Sequence, residues 1–279
     1  MCLLSAVAVA PAPGPAPVVP ESSIPPLAVC AAQIRATGSP QDNLRVLGDA
    51  AAQAAHRGAR LLAFPEAAMA CFGTDLRAVA EPLDGPFADG VRRIAARHGL
   101  TLVVGMFEPS GDGRVYNTLL LTGPDGEVTY RKIHLYDAFG ARESDTVAPG
   151  QEIVTTQVAG FRVGLATCYD LRFADQFTAL GRAGAQLVVV PASWGEGPGK
   201  AEQWDLLARA RAMDAQAYVL ACDQAWTPPR GTDPLGIGRS VLTDPLGRVC
   251  ARLGHEEGLL YAAADPDVVA RARATVPIL

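Results

Sequence analysis

The chain has 279 residues, 49% hydrophobic and 19% charged, with a formal net charge of -5; this suits one large α/β domain and leaves room for two small ones at most. A mildly acidic balance offers no general attraction to phosphate backbones, which sets nucleic acid aside. No apolar run approaches the length of a membrane-spanning helix.

Met1 to Ala10 is apolar but lacks the basic start of an export signal, and residues 11–26 are rich in Pro and Ala. Residues 1–26 are therefore expected to be a flexible or extended tail, with an over-long start or an export signal as the two alternatives. The domain is expected over 27–279.

Leu27 to Ile34 reads as a buried strand. Pro40 opens a helix that places Leu44, Leu47, Ala51, Ala54 and Ala55 on one face and ends at Gly58. A second strand, Arg60 to Phe64, stops at Pro65-Glu66, because Pro cannot donate to a ladder. Residues 86–98 form a helix around Phe87, Val91 and Ile94. Strands follow over Thr101–Phe107 and Val115–Leu121. After the turn Pro124-Asp125-Gly126-Glu127, a short strand from Val128 runs toward Lys132 and His134.

Two more strands, Glu152–Val158 and Phe161–Thr167, lead to Cys168. From there a single helix is expected to about Ala183. Gln186–Val190 is a strand that ends in Pro191-Ala192-Ser193-Trp194. A Gly-rich loop precedes a helix over 201–216, where Asp205 and Arg209 stand one turn apart as a supporting pair. Ala217–Ala221 is a strand, 238–252 reads as a hairpin, Leu259–Ala264 is the last strand, and Asp265-Pro266 opens a final helix. Strands alternating with helices, with hairpins interspersed, argue for an α/β layered sandwich with mixed sheets.

Three reactive groups fall at strand ends: Glu66, Lys132 and Cys168. The six cysteines, at 2, 30, 71, 168, 222 and 250, show no metal-ligand spacing, and a chain this long needs no disulfide staples. The reading is a reduced, cytoplasmic protein in which Cys30, Cys222 and Cys250 are buried, inert thiols. No metal and no cofactor is expected, since Gly195 to Gly199 lacks the ending of a phosphate-binding loop.

A cysteine nucleophile commonly pairs with a histidine, and His134 shares the face of Lys132 if the segment stays extended, so a Cys168–His134 dyad is one reading. Asp170 and Arg172 are expected to brace the turn as a pair, and Asn117 to satisfy backbone groups.

A resemblance points away from histidine. Phe64-Pro65-Glu66, Tyr130-Arg131-Lys132-Ile133-His134-Leu135 and Thr167-Cys168-Tyr169-Asp170-Leu171-Arg172-Phe173, in that order, resemble the nitrilase superfamily of carbon–nitrogen hydrolases over residues 27–279. The resemblance implies an α-β-β-α four-layer sandwich of the nitrilase type, often paired into dimers or higher homo-oligomers. It implies a triad of Glu66, Lys132 and Cys168, with Glu143 orienting either Lys132 or the substrate amide. On that reading Glu66 takes the Cys168 proton, and Lys132 and the Tyr169 backbone N–H receive the oxyanion.

Cys-Tyr-Asp-Leu-Arg-Phe resembles the branch holding omega-amidase and deaminated glutathione amidase, whose substrates are amides of small carboxylic acids and water. Tyr169, Ser193, Trp194 and Arg172 are the expected substrate-binding residues, with Lys200, Arg172 and Arg230 as candidate anchors for a carboxylate. The loop departs from the branch, which carries Ala-Phe at Ser193-Trp194 and His-Trp at Gln203-Trp204. N-carbamoyl hydrolysis and a catalytically silent binding role are the alternatives.

Overall fold

The computed structural model describes residues 22–231 and 233–279. Most of the expected tail, 1–21, lies outside the described residues. Nearer the domain, the Ser22 N–H donates to Asp267 Oδ1 at 2.7 Å, and Ile24 packs on the core.

In chain order the first half runs β1 (Leu27–Gln33), α1 (Pro40–His56), β2 (Leu61–Ala63), α2 (Leu76–Val79), α3 (Pro86–His98), β3 (Thr101–Pro109), β4 (Val115–Gly123), β5 (Gly126–Arg131) and β6 (Val147–Ala148). The second half runs β7 (Val154–Val158), β8 (Phe161–Leu165), α4 (Ala174–Arg182), β9 (Leu187–Ala192), α5 (Lys200–Ala215), β10 (Tyr218–Asp223), β11 (Val241–Thr243), β12 (Val249–Arg252), β13 (Gly258–Ala264) and α6 (Pro266–Thr275).

The first sheet has the order β13-β1-β2-β3-β4-β5, with β6 beside β4. The second has the order β12-β11-β10-β9-β8-β7. In each sheet three neighbouring strands run parallel, β1-β2-β3 and β8-β9-β10, joined by helical crossovers.

The layering follows from side-chain alternation along each strand. In β1, Val29 and Ala31 face the second sheet, while Cys30 and Ala32 face α1 and α3. In β9, Leu187 and Val189 face the first sheet, while Val188 and Val190 face α4 and α5. Both sheets are therefore apolar on both faces, and each outer face needs a cover of helices. The result is the expected α-β-β-α four-layer sandwich.

Local chemistry sets the helix ends. Ser39 accepts the Asp42 N–H at the start of α1, with Pro40 in its first turn. Gly99 closes α3 in the left-handed conformation at φ +63°. Phe87 of α3 is 1% exposed, so Phe87→Ala would cost roughly 3–5 kcal/mol of stability.

Three sequence expectations change. The single helix after Cys168 is a 3-10 turn, Cys168–Arg172, broken from α4 by extended Phe173 (φ -112°, ψ 96°). The hairpin strand expected from Gly238 starts at Val241, because Gly238 and Arg239 are both left-handed. Cys250 is exposed on the edge strand β12 rather than buried.

Candidate active site

The site is built where four chain segments leave their strands. β2 runs into Phe64-Pro65-Glu66, β5 into Lys132, β8 into Thr167-Cys168 and β9 into Ser193-Trp194. Crevices at the carboxyl ends of parallel strands are where α/β sheets take their ligands. Glu66, Lys132, Glu143, Cys168, Tyr169, Arg172, Ser193 and Trp194 all line one cavity of about 470 Å³. That volume suits a small organic molecule. All eight sequence-derived site residues are thus brought together.

Two glycines let the charged groups approach. A Cβ on Gly105 of β3 would stand 2.8 Å from both the Ala67 nitrogen and the Pro65 oxygen. Only glycine lets the Glu66 turn lie against that strand. The Gly150 N–H donates to the Lys132 carbonyl at 2.7 Å, and a Cβ there would collide with the Arg131 carbonyl.

Glu66 and Lys132 are 1% and 2% exposed, so each charge needs a partner. The Lys132 ammonium donates to Glu66 Oε1 at 2.8 Å, and to Glu143 Oε2 and Oε1 at 2.9 and 3.1 Å. Burial alone would lower the lysine's proton affinity, but the Glu143 and Glu66 carboxylates override it and hold Lys132 well above its ordinary value. Lys132 is therefore a fixed cation at neutral pH. Glu143 touches Lys132, one of its two expected partners, and also accepts the Tyr136 N–H at 2.6 Å.

Asn117 was expected to serve backbone groups. Instead its side-chain amide donates to Glu66 Oε1 at 2.7 Å and to Glu143 Oε1 at 3.1 Å. It bridges the two carboxylates and offsets their repulsion. A polar residue in the apolar run of β4 was its one visible signal. The remaining Glu66 oxygen, Oε2, accepts the Ser193 N–H at 2.9 Å.

Cys168 is 7% exposed and has φ +44°, a left-handed conformation that costs a residue with a Cβ roughly 1–3 kcal/mol. Its thiol points toward the Ser193 carbonyl at 3.8 Å. Burial, then the Glu66 anion, push the thiol well above its ordinary value, and Lys132 offsets this only in part. The sulfur is therefore protonated at rest.

The Cys168–His134 dyad does not form. His134 does not line the cavity; its Nδ1 contacts Asp170 Oδ1 at 2.9 Å and its ring stacks on Phe173. Nor do Asp170 and Arg172 pair. Asp170 faces Tyr130, His134 and Thr167, while the Arg172 guanidinium turns to the cavity, with Nη2 donating to Gln203 Oε1 at 2.7 Å. Its buried Nε has no hydrogen-bond partner among the described residues.

Lys200 shares the cavity wall. It is 5% exposed, donates to the Tyr136 hydroxyl at 3.0 Å, and stands 3.5 Å from the Phe139 ring centre. No carboxylate lies within ion-pair distance of Lys200 or Arg172 among the described residues. Burial, then the Arg172 charge, push Lys200 down to about 8. The third candidate anchor, Arg230, is exposed and does not line this cavity.

Trp194 is held from behind by Asp223, a buried carboxylate that sequence reasoning missed. Its oxygens accept the Trp194 and Ile237 N–H groups at 2.8 and 2.9 Å. Among the described residues no group of His, Cys, Asp and Glu is arranged to hold a metal ion, and no helix is long and apolar enough to cross a membrane.

Comparison with known proteins agrees with this architecture. A Mycobacterium tuberculosis protein named as a hydrolase is 51% identical over 262 residues, covering 90% of this chain and 94% of that protein. The deaminated glutathione amidase of Escherichia coli O157:H7 is 35% identical over 256 residues, covering 90% and 95%. The crystal structure of Saccharomyces cerevisiae Nit3, a branch 10 member of the nitrilase superfamily, superimposes with a TM-score of 0.80 at 26% identity, covering 93% and 98%. The carbon–nitrogen hydrolase family profile matches residues 27–274, from the first strand of the sandwich into its last helix, and the chain belongs to that family.

Proposed function

We propose that the protein is a cysteine-dependent amidase that hydrolyses the terminal amide of a small carboxylic acid. The observation that carries this reading is the buried Glu66–Lys132–Glu143 cluster set against the Cys168 thiol in one cavity. A buried thiol held protonated needs a base at the moment it attacks, and Glu66 is the carboxylate beside it.

Cys168 Sγ bonds to the amide carbon as its proton passes to Glu66. The carbonyl electron pair moves onto oxygen, where the Lys132 ammonium and the Tyr169 N–H stabilise it. Collapse breaks the C–N bond, Glu66 returns the proton to nitrogen, and ammonia leaves behind a thioester. Glu66 then takes a proton from water as the water attacks. The acid departs and the thiol is restored. Water is the only co-substrate, and no cofactor takes part.

Lys200 and Arg172 support the carboxylate end of the substrate. Two cations with no carboxylate within ion-pair distance among the described residues favour an anion in this cavity. Trp194 limits acyl-chain length. The reading keeps the protein a cytoplasmic homodimer or higher homo-oligomer, in which pairing would cover Leu206 and Met213 on the outer face of α5.

The test is ammonia release from a panel of ω-amides that includes α-ketoglutaramate and deaminated glutathione. Release should stop in Cys168→Ala, and mass spectrometry should find an acyl adduct on Cys168 of the wild type. Release that survives Cys168→Ala would overturn the assignment. Carbon dioxide formed with the ammonia would redirect it to N-carbamoyl compounds.

A further inference from the structure

Within the proposed reaction, Lys132 and Cys168 must meet one carbonyl group, yet they belong to different sheets. Lys132 follows β5 of the first sheet, and Cys168 follows β8 of the second. Apolar packing between two sheets is non-directional and does not by itself set their register. A directional tie is needed between the two segments, and Asp170 supplies one.

The Asp170 side chain is fully buried. Its Oδ2 accepts the Tyr130 hydroxyl at 2.6 Å and the Thr167 N–H at 2.8 Å. Its Oδ1 accepts the His134 N–H at 3.0 Å and contacts His134 Nδ1 at 2.9 Å. A carboxylate only accepts, so that ring nitrogen carries its proton. Tyr130 and His134 stand two residues to either side of Lys132. Thr167 stands immediately before Cys168. The Tyr130 oxygen also receives the Ile133 N–H at 3.2 Å and the Gln176 amide of α4 at 2.9 Å. Every bond into Asp170 thus comes from the chain beside Lys132 or the chain beside Cys168.

We infer that Asp170 is a positioning residue: its carboxylate clasps the lysine segment to the cysteine turn and so sets the Lys132 ammonium against the Cys168 sulfur. This rests on the amidase reading above. The same bonds hold Cys168 in its left-handed conformation, since the Thr167 N–H is tied within the turn. His134 is the outer arm of the clasp, pressed on Phe173 with ring centres 3.6 Å apart. Its role is to hold, not to move the thiol proton.

The experiment compares wild type, Asp170→Asn, Tyr130→Phe, His134→Ala and His134→Asn as full-length chains. It measures kcat and KM on an amide the wild type turns over, the rate of Cys168 alkylation by iodoacetamide, and Tm. An asparagine at 170 turns an N–H group toward donors it cannot accept. A misplacement of about 1 Å costs on the order of 100-fold in rate. Asp170→Asn is expected to lower kcat on that order with KM within about threefold. Tyr130→Phe and His134→Ala each remove one arm and are expected to lower kcat about tenfold while the fold persists. His134→Asn, which restores a donor near Nδ1, is expected to recover most of that loss.

If Asp170→Asn does not fold, the Tyr130 and His134 variants decide alone. Unchanged kcat in those variants overturns the inference. So does a loss in His134→Ala that His134→Asn does not repair, or losses that fall on KM alone. A wild type that turns over no amide overturns the amidase reading instead, which keeps the two failures distinct.

Discussion

Replacing Lys200 by methionine tests what the cavity reads at the far end of its substrate. Methionine keeps an unbranched chain against Phe139, Tyr136 and Trp194 but removes the charge. Lys200 is 5% exposed, so a substrate carboxylate beside it is largely out of water. A hydrogen bond to a charged group in such a place is worth about 1.5–3 kcal/mol, or roughly 10- to 150-fold in kcat/KM. The loss stays within that range because Arg172, on the same wall, remains to hold the anion.

The assay is ammonia release from succinamate and from 4-methylpentanamide, in which an isopropyl group replaces the carboxylate. Lys200→Met is expected to lower kcat/KM for succinamate by that factor and to leave the neutral amide within about twofold. Equal losses on both amides, or none on either, would refute the carboxylate subsite.

Three further outcomes are expected. Because Lys200 is pushed down to about 8, it is charged below that pH and neutral above it; kcat/KM for succinamate should fall as pH rises through about 8, while the neutral amide shows no such step. Glu143→Gln keeps the shape but removes one of the two anions that hold the buried Lys132, so kcat should drop on the order of 10²-fold, with a lower Tm by calorimetry because a buried charge pair is broken. Gly105→Ala forces a Cβ into the Pro65–Ala67 backbone, and overpacking of this kind costs about 1–3 kcal/mol, read as a lower urea midpoint together with reduced turnover from a displaced Glu66.

The strand ends that carry Glu66 and Cys168 were legible because each ends an apolar run at a turn; Lys132 follows a mixed strand, and it was the order of the three that carried the family pattern. The four-layer fold came with that pattern. What stayed hidden depended on register across the sheets. Asn117 looked like a routine strand polar group, since nothing local tells that two carboxylates from distant segments converge on it. Asp170 and Arg172 look like partners at two-residue spacing, but the 3-10 turn sends one inward and the other to the cavity.

Asp205 and Arg209 fit an intrahelical pair. Asp205 instead meets Arg239 and Arg252 on the neighbouring hairpin, and Arg209 donates to the Gly247 carbonyl. Long-range partners outcompeted a helix pair worth only about 0.2–0.5 kcal/mol. The Cys250 thiol lay in an apolar run, but that run is an edge strand with solvent on its open side.

The last strand, β13, closes the first sheet by pairing antiparallel with β1 from Leu27↔Ala264 to Gln33↔Gly258. During synthesis, β1, the first of the described strands, must wait for β13, the last of them, before its outer edge is sealed. Until then it offers a row of unpaired amides and carbonyls along an apolar, alanine-rich segment, a template for another chain. A chain cut or terminated between Arg252 and Gly258 would hold every proposed reacting group and still present that open edge. Damage near the carboxyl end should therefore appear first as aggregation during expression, before any change in the chemistry of the cavity.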